Sequence, residues 1–321
     1  MTRLIFMGTA DLAAEVLRAL CRQSELQILA VVSQPDKPKG RDLKTVPTPV
    51  KAVALKHQLP VLQPARARDP QFIEQLRVLA PDLIVVAAYG QILPQALLDI
   101  PRHGCLNVHT SLLPRHRGAA PIQWAIMEGD AVTGVTIMKM DAGLDTGAML
   151  ATVTTAITED DNAQKLHDRL AVLGAELLVK TIPEFVAGRI IPQPQPAEGV
   201  TYARKISKED GALDWLQPAR SLWNRIRAFT PWPGAFTFLP GEAKPMLVKI
   251  WRAEVDAAQS GQPGEILAAD KQGVVVACGE QSLRVHDLQR EGGRRLGAQE
   301  FLSGHPLQPG QRFVASPPAT A

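Results

Sequence analysis

Cysteine is scarce in this sequence and forms no pattern. Cys21, Cys105 and Cys278 lie far apart, with no CxxC pair and no Cys/His ligand spacing. Three thiols cannot all pair within one chain, so a disulfide framework is not expected and a reducing compartment is. No apolar run reaches the roughly 18 residues that a membrane-spanning helix needs. Asp11 and Glu15 interrupt the apolar stretch near the start, so no signal-peptide core is expected and the protein is expected to be cytoplasmic. There is no internal repeat. The first apolar strand runs into Gly8-Thr9-Ala10-Asp11 rather than a GxGxxG turn, which argues against a nicotinamide-dependent oxidoreductase. Asp141-Ala142-Gly143-Leu144-Asp145-Thr146-Gly147 has the spacing that begins a calcium loop but lacks the closing acid, so no metal is expected.

What is present is enough for two domains. A chain of 321 residues can bury two cores, and its hydrophobic content of 45% is ordinary for a globular protein. The net charge of +3 is mild, so any polyanionic partner has to be argued from local clusters. Apolar strands are expected at Leu4–Met7, Ile28–Val32, Leu83–Ala88, Leu106–His109 and Val135–Met140. Helices are expected near Leu12–Cys21, from an Asp69 cap to Leu79, at Pro121–Met127, and from about Asn162 to Val186. This alternation predicts an α/β fold with a doubly wound, mostly parallel sheet over residues 1–189, whose sites lie at the carboxyl ends of its strands. The alternating prolines of Ile191-Pro192-Gln193-Pro194-Gln195-Pro196 forbid a helix, so 190–207 reads as an extended linker. A helix at Ala219–Ala228 and strands at Ala235–Phe238, Leu247–Ala253, Val274–Ala277 and Leu283–Leu288 predict a small β-barrel over 208–315. Residues 316–321 read as a disordered tail.

The chemistry concentrates in Asn107-Val108-His109 and in the loop holding Asp145. Two apart in a strand, Asn107 and His109 project to one face, where both could meet one bound carbonyl. An amide can donate to a developing oxyanion; an imidazole can do so too, or move the proton an attacking amine must lose. Asp145 would hold that imidazole. Each element alone is ambiguous, because N-x-H at a strand end is common and an Asp in a Gly-rich loop is usually a turn former. Cys105, at the start of the same strand, reads as a buried structural thiol rather than a nucleophile.

NVHTSLLPRHRGAAPIQ and GVTIMKMDAGLDTG resemble the signatures of the folate-dependent formyltransferases. The resemblance, which runs from about Leu4 to Phe313, implies Asn107, His109 and Asp145 as the catalytic trio. It also implies 10-formyltetrahydrofolate as co-substrate, held by Tyr89, Ile92, Leu93, Ser111, Leu112, Leu113, Pro114 and Asp141. Three positions depart from the family pattern: Ala10 in place of Pro, His116 in place of Trp, and Trp124 in place of Arg.

The acceptor amine is suggested by Gln34–Lys51, where Lys37, Lys39, Arg41, Lys44 and Lys51 face only Asp36 and Asp42. Gly and Pro make this stretch read as a mobile loop, and a charge run by itself is usually a solvated face. It resembles the basic loop with which family members acting on initiator tRNA hold the acceptor end. With Arg204 and Lys205 it implies methionyl-initiator tRNA as partner and translation initiation as the setting. No membrane and no obligate protein partner are implied, and a monomer is expected. Phe229-Thr230-Pro231-Trp232-Pro233-Gly234 reads as a packing corner. The alternatives are an aminosugar-nucleotide formyltransferase, a formyltetrahydrofolate hydrolase and, more distantly, a non-catalytic RNA-binding module. The first would have little use for the basic loop, and the last would leave the trio unexplained.

Overall fold

The computed structural model describes residues 1–39, 44–240, 245–256 and 261–316. The chain divides into two compact units. The first comprises Met1–Pro121, Val132–Ala156 and Leu166–Arg204; the second takes Ile122–Ala131, Ile157–Lys165 and everything from Lys205 onward. Arg41 and residues 317–321 lie outside the described residues, as do the side chains of Lys39 and Lys44.

The strands of the first unit are β1 (Thr2–Gly8), β2 (Leu26–Val32), β3 (Lys37–Lys39), β4 (Lys44–Val46), β5 (Val61–Leu62) and β6 (Leu83–Ala87). They continue with β7 (Cys105–His109), β8 (Arg117–Gly118), β9 (Val132–Lys139), β10 (Met149–Ala156) and β11 (Tyr202–Ala203). Helices α1 (Asp11–Leu20), α2 (Pro49–Lys56), α3 (Pro70–Val78), α4 (Gln95–Leu98) and α6 (Ala163–Val186) alternate with them, while α5 (Pro121–Met127) belongs, after its first residue, to the second unit. The main sheet has seven strands in the order β10-β9-β7-β6-β1-β2-β5. The pairs β1–β2, β1–β6, β2–β5 and β6–β7 are parallel, while β7–β9 and β9–β10 are antiparallel. The mostly parallel sheet read from the sequence is therefore present, with an antiparallel edge that includes β10.

Burial explains the strand sequences. All five residues of β6 are buried, as are Leu4 to Met7 of β1, so both are apolar without alternation. Each such Leu, Ile or Val stabilises the fold by roughly 1.5–3 kcal/mol relative to exposure. Helix α1 turns Leu12, Ala13, Val16, Leu17 and Leu20 inward, and Asp11 sits in its first turn, where the helix dipole favours a carboxylate. Asp69 caps α3 by accepting from the Gln71 amide at 3.0 Å.

The Gln34–Lys51 stretch departs from its reading as a loop. Lys37–Lys39 and Lys44–Val46 form a two-stranded antiparallel ladder, and α2 begins at Pro49. The start of α2 was legible: Thr48 accepts from the Lys51 amide at 3.1 Å and Pro49 occupies the first turn. Charge and proline content mask that signal in the sequence.

In the second unit, β12 (Ala235–Leu239), β13 (Met246–Asp256), β14 (Ile266–Asp270), β15 (Gly273–Ala277) and β16 (Ser282–Arg290) form an antiparallel sheet. Its order is β12-β13-β16-β15-β14, with β17 (Leu296–Gly297) beside β16. Helices α7 (Ala219–Ala228) and α8 (Ala298–Gly304) belong to the same unit. The two edge strands are joined by the stretch 310–314. Val314 and Phe238 exchange backbone bonds of 2.8 and 2.9 Å, and the Ile266 amide donates to the Gln311 carbonyl at 2.8 Å. Trp215, Trp223, Ile250, Val285, Phe301 and Phe313 fill the interior. Trp232 leaves 49% of its surface exposed, so the Pro-Trp-Pro corner is less packed than its sequence suggested.

Candidate active site

Strand β7 delivers Asn107 and His109 side by side at its carboxyl end. Asn107 pairs across to Val86 of β6 and Met138 of β9, and His109 pairs to Thr136. The loop after β9 brings Asp145 to them from another part of the chain. Its φ of 53° is left-handed, a conformation that costs a non-glycine residue energy and persists only where neighbours enforce it. Two residues on, a Cβ at Gly147 would lie 1.8 Å from the Lys139 carbonyl oxygen, so the loop can close against β9 only with glycine there.

The three side chains meet as expected. Asn107 Nδ2 lies 3.4 Å from Asp145 Oδ1, and His109 Nδ1 lies 3.7 Å from Asp145 Oδ2. The Gly118 amide donates to Oδ2 at 2.8 Å. On the other side of the imidazole, Nε2 is 2.9 Å from the His116 carbonyl oxygen. A carbonyl only accepts, so Nε2 carries a hydrogen and Nδ1 is the nitrogen turned to Asp145. His109 is 5% exposed and the Asp145 side chain 14%, a sheltered setting in which hydrogen bonds gain strength.

These residues line a cavity of about 560 Å³. Tyr89, Ile92, Leu93 and Asp141 also line it, with Leu12 and Met140 adding apolar wall. Its size and mixed lining suit a flat heterocycle with polar edges. Ile92 is 86% exposed, whereas Tyr89 is buried and packs in the core with Phe72 and Leu97. Burial pushes the Tyr89 hydroxyl up to about 12, and that oxygen has no hydrogen-bond partner among the described residues. Its carbonyl accepts from Thr9 Oγ1 at 3.0 Å and Gln34 Nε2 at 2.8 Å, which fixes the cavity wall to the ends of β1 and β2. Asp141 accepts from the Gly143 amide and the Thr146 hydroxyl, closing its own loop.

Ser111, Leu112, Leu113 and Pro114 do not line this cavity. Ser111 is fully buried and donates to the Arg115 carbonyl at 2.6 Å, while the Ser111 carbonyl accepts from Thr136 Oγ1 at 2.8 Å. The segment is thus fastened to β9 through Thr136. Cys105 is buried, its thiol pushed up to about 12 chiefly by desolvation, as fits a structural role.

The basic residues separate into different kinds. Lys37 is exposed and lines a second, larger cavity of about 630 Å³ with Arg18, Lys56 and several prolines. That cavity contains none of the trio, so size alone does not mark the chemistry. Lys51 is engaged at the base of the hairpin. Its Nζ lies 2.5 Å from Asp36 Oδ2 and 2.8 Å from Gln63 Oε1, so it is a brace rather than a free cation. Arg204 and Lys205 are exposed.

Sequence reasoning missed the groups that hold the trio. The His116 carbonyl and Gly118 amide are backbone groups, which no side-chain pattern reveals. His116, which departs from the family pattern, is 2% exposed, with φ at 57°. Its amide donates to Thr201 Oγ1 at 2.8 Å. Gln195, in the Pro-rich stretch, donates to the carbonyls of both Asp145 and Gly147 at 2.8 Å.

Comparison with known proteins bears on the same regions. A family described as formyl transferase matches residues 2–182, and the formyl transferase C-terminal domain matches residues 205–306. Methionyl-tRNA formyltransferase of Geobacter sulfurreducens is 50% identical over 311 residues, covering 97% of this chain and 96% of the relative. That of Myxococcus xanthus is 52% identical over 314 residues, covering 98% of both. Among solved structures, an N-formyltransferase from Helicobacter canadensis in complex with folinic acid and dTDP-3-aminofucose superposes with a TM-score of 0.62 at 16% identity. The match covers 92% of this chain and 100% of that one. HypX from Aquifex aeolicus in complex with tetrahydrofolic acid gives a TM-score of 0.60 at 18% identity over 98% of this chain and 51% of that one. These two likenesses concern the fold.

Proposed function

This chain belongs to the formyl transferase family, and on that footing we propose that it transfers the formyl group of 10-formyltetrahydrofolate to the α-amine of methionyl-initiator tRNA, for initiation of translation. The observation that carries the reading is the convergence of Asn107, His109 and Asp145 on one sheltered point beside a cavity of heterocycle size. Full-length likeness to curated methionyl-tRNA formyltransferases supports this acceptor over an aminosugar or water.

Asn107 Nδ2 and the Nδ1–H of a protonated His109 donate to the formyl oxygen as its carbon becomes tetrahedral. Such donors stabilise charge that appears only in the transition state. The amine nitrogen forms the new bond to the formyl carbon, and the bond from that carbon to N10 of the folate breaks. Asp145 orients His109 and takes part in passing the proton lost by the amine to the departing N10. The apolar wall of Leu12, Leu93 and Met140, with Tyr89, Ile92 and Asp141, holds the folate, while Ser111–Pro114 brace β9 through Thr136. Lys37 and its neighbours on the hairpin, with Arg204 and Lys205, meet the RNA. Residues 1–189 form the catalytic domain and 208–315 the tRNA-binding domain of a monomer working in the cytoplasm.

The test offers 10-formyltetrahydrofolate with methionyl-tRNA, with an aminosugar nucleotide, or with buffer alone. Consumption that depends on the charged tRNA is expected. Consumption with the sugar or with buffer at the same rate contradicts the reading.

A further inference from the structure

The stretch after α6 reads in sequence as a spacer, yet it is bound repeatedly to the backbone around the candidate site. Gln193 and Met149 exchange two backbone bonds of 2.8 Å, which ties it to the start of β10. Further along, β11 pairs with β8 in parallel, with Tyr202 opposite Arg117 and Ala203 opposite Gly118. The fit is close, because a Cβ at Gly118 would lie 2.7 Å from the Ala203 carbonyl oxygen. Between these two attachments stands Gln195.

The Gln195 amide is fully committed. Its nitrogen donates to the Asp145 and Gly147 carbonyls, both at 2.8 Å. Its oxygen accepts from Arg117 Nε at 3.0 Å and Arg117 Nη2 at 2.7 Å. The guanidinium only donates and the two carbonyls only accept, so a flipped amide would lose every one of these bonds. Arg117 immediately precedes Gly118, whose amide holds the Asp145 carboxylate. One side chain therefore links the two segments that set Asp145, gripping that residue where its backbone is left-handed. The flanking Pro194 and Pro196 restrict the chain on either side of Gln195, so little freedom is lost in placing it.

We infer that Gln195 is a positioning residue for formyl transfer, acting through the Asp145–Gly147 backbone to aim the Asp145 carboxylate at His109. The inference rests on the reading of Asn107, His109 and Asp145 as the reacting trio. Gln195 itself touches neither substrate.

The test is Gln195→Glu in the full chain, assayed with 10-formyltetrahydrofolate and methionyl-tRNA. A carboxylate keeps the partner for Arg117 but presents no donor to the two carbonyls, so the segment stays attached while the loop is released. A displacement of about 1 Å at a reacting group can cost on the order of 100-fold, so kcat should fall by about 10- to 100-fold with both KM values unchanged. Arg117→Lys, which loosens the same amide from its other side, should give a smaller loss of the same kind. In an Asp145→Asn background, Gln195→Glu should add nothing further, because the residue acts through Asp145. Wild-type kcat in both single variants, a loss confined to KM, or full additivity with Asp145→Asn overturns the inference. Wild-type turnover by Asp145→Asn alone overturns the trio reading itself, and the inference with it.

Discussion

The hairpin around Lys37 and the strap around Gln195 look alike as sequence. Both are rich in proline, both join regular elements, and neither carries a long apolar run. In the structure they differ in what their polar side chains meet. Gln195 is committed on both ends to groups that hold Asp145. The hairpin is held at its base by Lys51, Asp36 and Gln63, and Lys37 is exposed. Proline content makes both read as non-helical connections. It does not say whether a segment serves the chemistry or reaches toward a partner; the partners of the side chains between the prolines do.

The contrast should appear as a division between turnover and binding. On the inner side, Asn107→Ala should lower turnover by about 100- to 1000-fold, the usual loss for one oxyanion donor, while folate binding is retained. A rate near that of the parent, measured at saturating substrates, would remove Asn107 from the trio. On the outer side, Lys37→Ala should leave kcat alone and raise KM for the tRNA. The salt dependence of tRNA binding should become shallower by about one in logarithmic slope, as for one lost phosphate contact. An unchanged slope would take Lys37 out of the interface.

A subtler difference lies within the hairpin. The hydrogen bond from Lys51, then that from Gln63, holds the Asp36 carboxyl below its ordinary value. A depressed folded value means that Asp36 contributes stability above the unfolded carboxylate pKa and loses it as pH falls through the folded one. Lys51→Met should therefore move the titration of Asp36, followed by NMR, back toward the ordinary carboxylate range. If the Asp36 titration does not move, the brace is not there. The smallest effect belongs to Cys105: with its thiol held near 12, native protein should resist alkylation there, and Cys105→Ser should keep its turnover.

How much of this was legible follows from what kind of group does each job. The sheet was readable because β1 and β6 are buried on both faces and so carry continuous apolar residues. Asn107 and His109 were readable because a strand places alternate residues on one face, and Asp145 because its glycine-rich loop resembled a known pattern. β10 was not, since its burial alternates between half-covered and exposed positions and Thr and Ala fill it. Backbone supports such as the His116 carbonyl leave no trace in residue type. Lys51 counted in sequence as one more cation of the basic loop, because composition cannot register that Asp36 and Gln63 already hold it.

The most direct measurement is single-turnover formylation of methionyl-tRNA by Asp145→Ala, with folate binding measured in parallel. The account predicts a rate lower by about 100-fold or more with folate affinity unchanged, as expected when a group acting only in the transition state is lost. Transfer at the parent rate would contradict it.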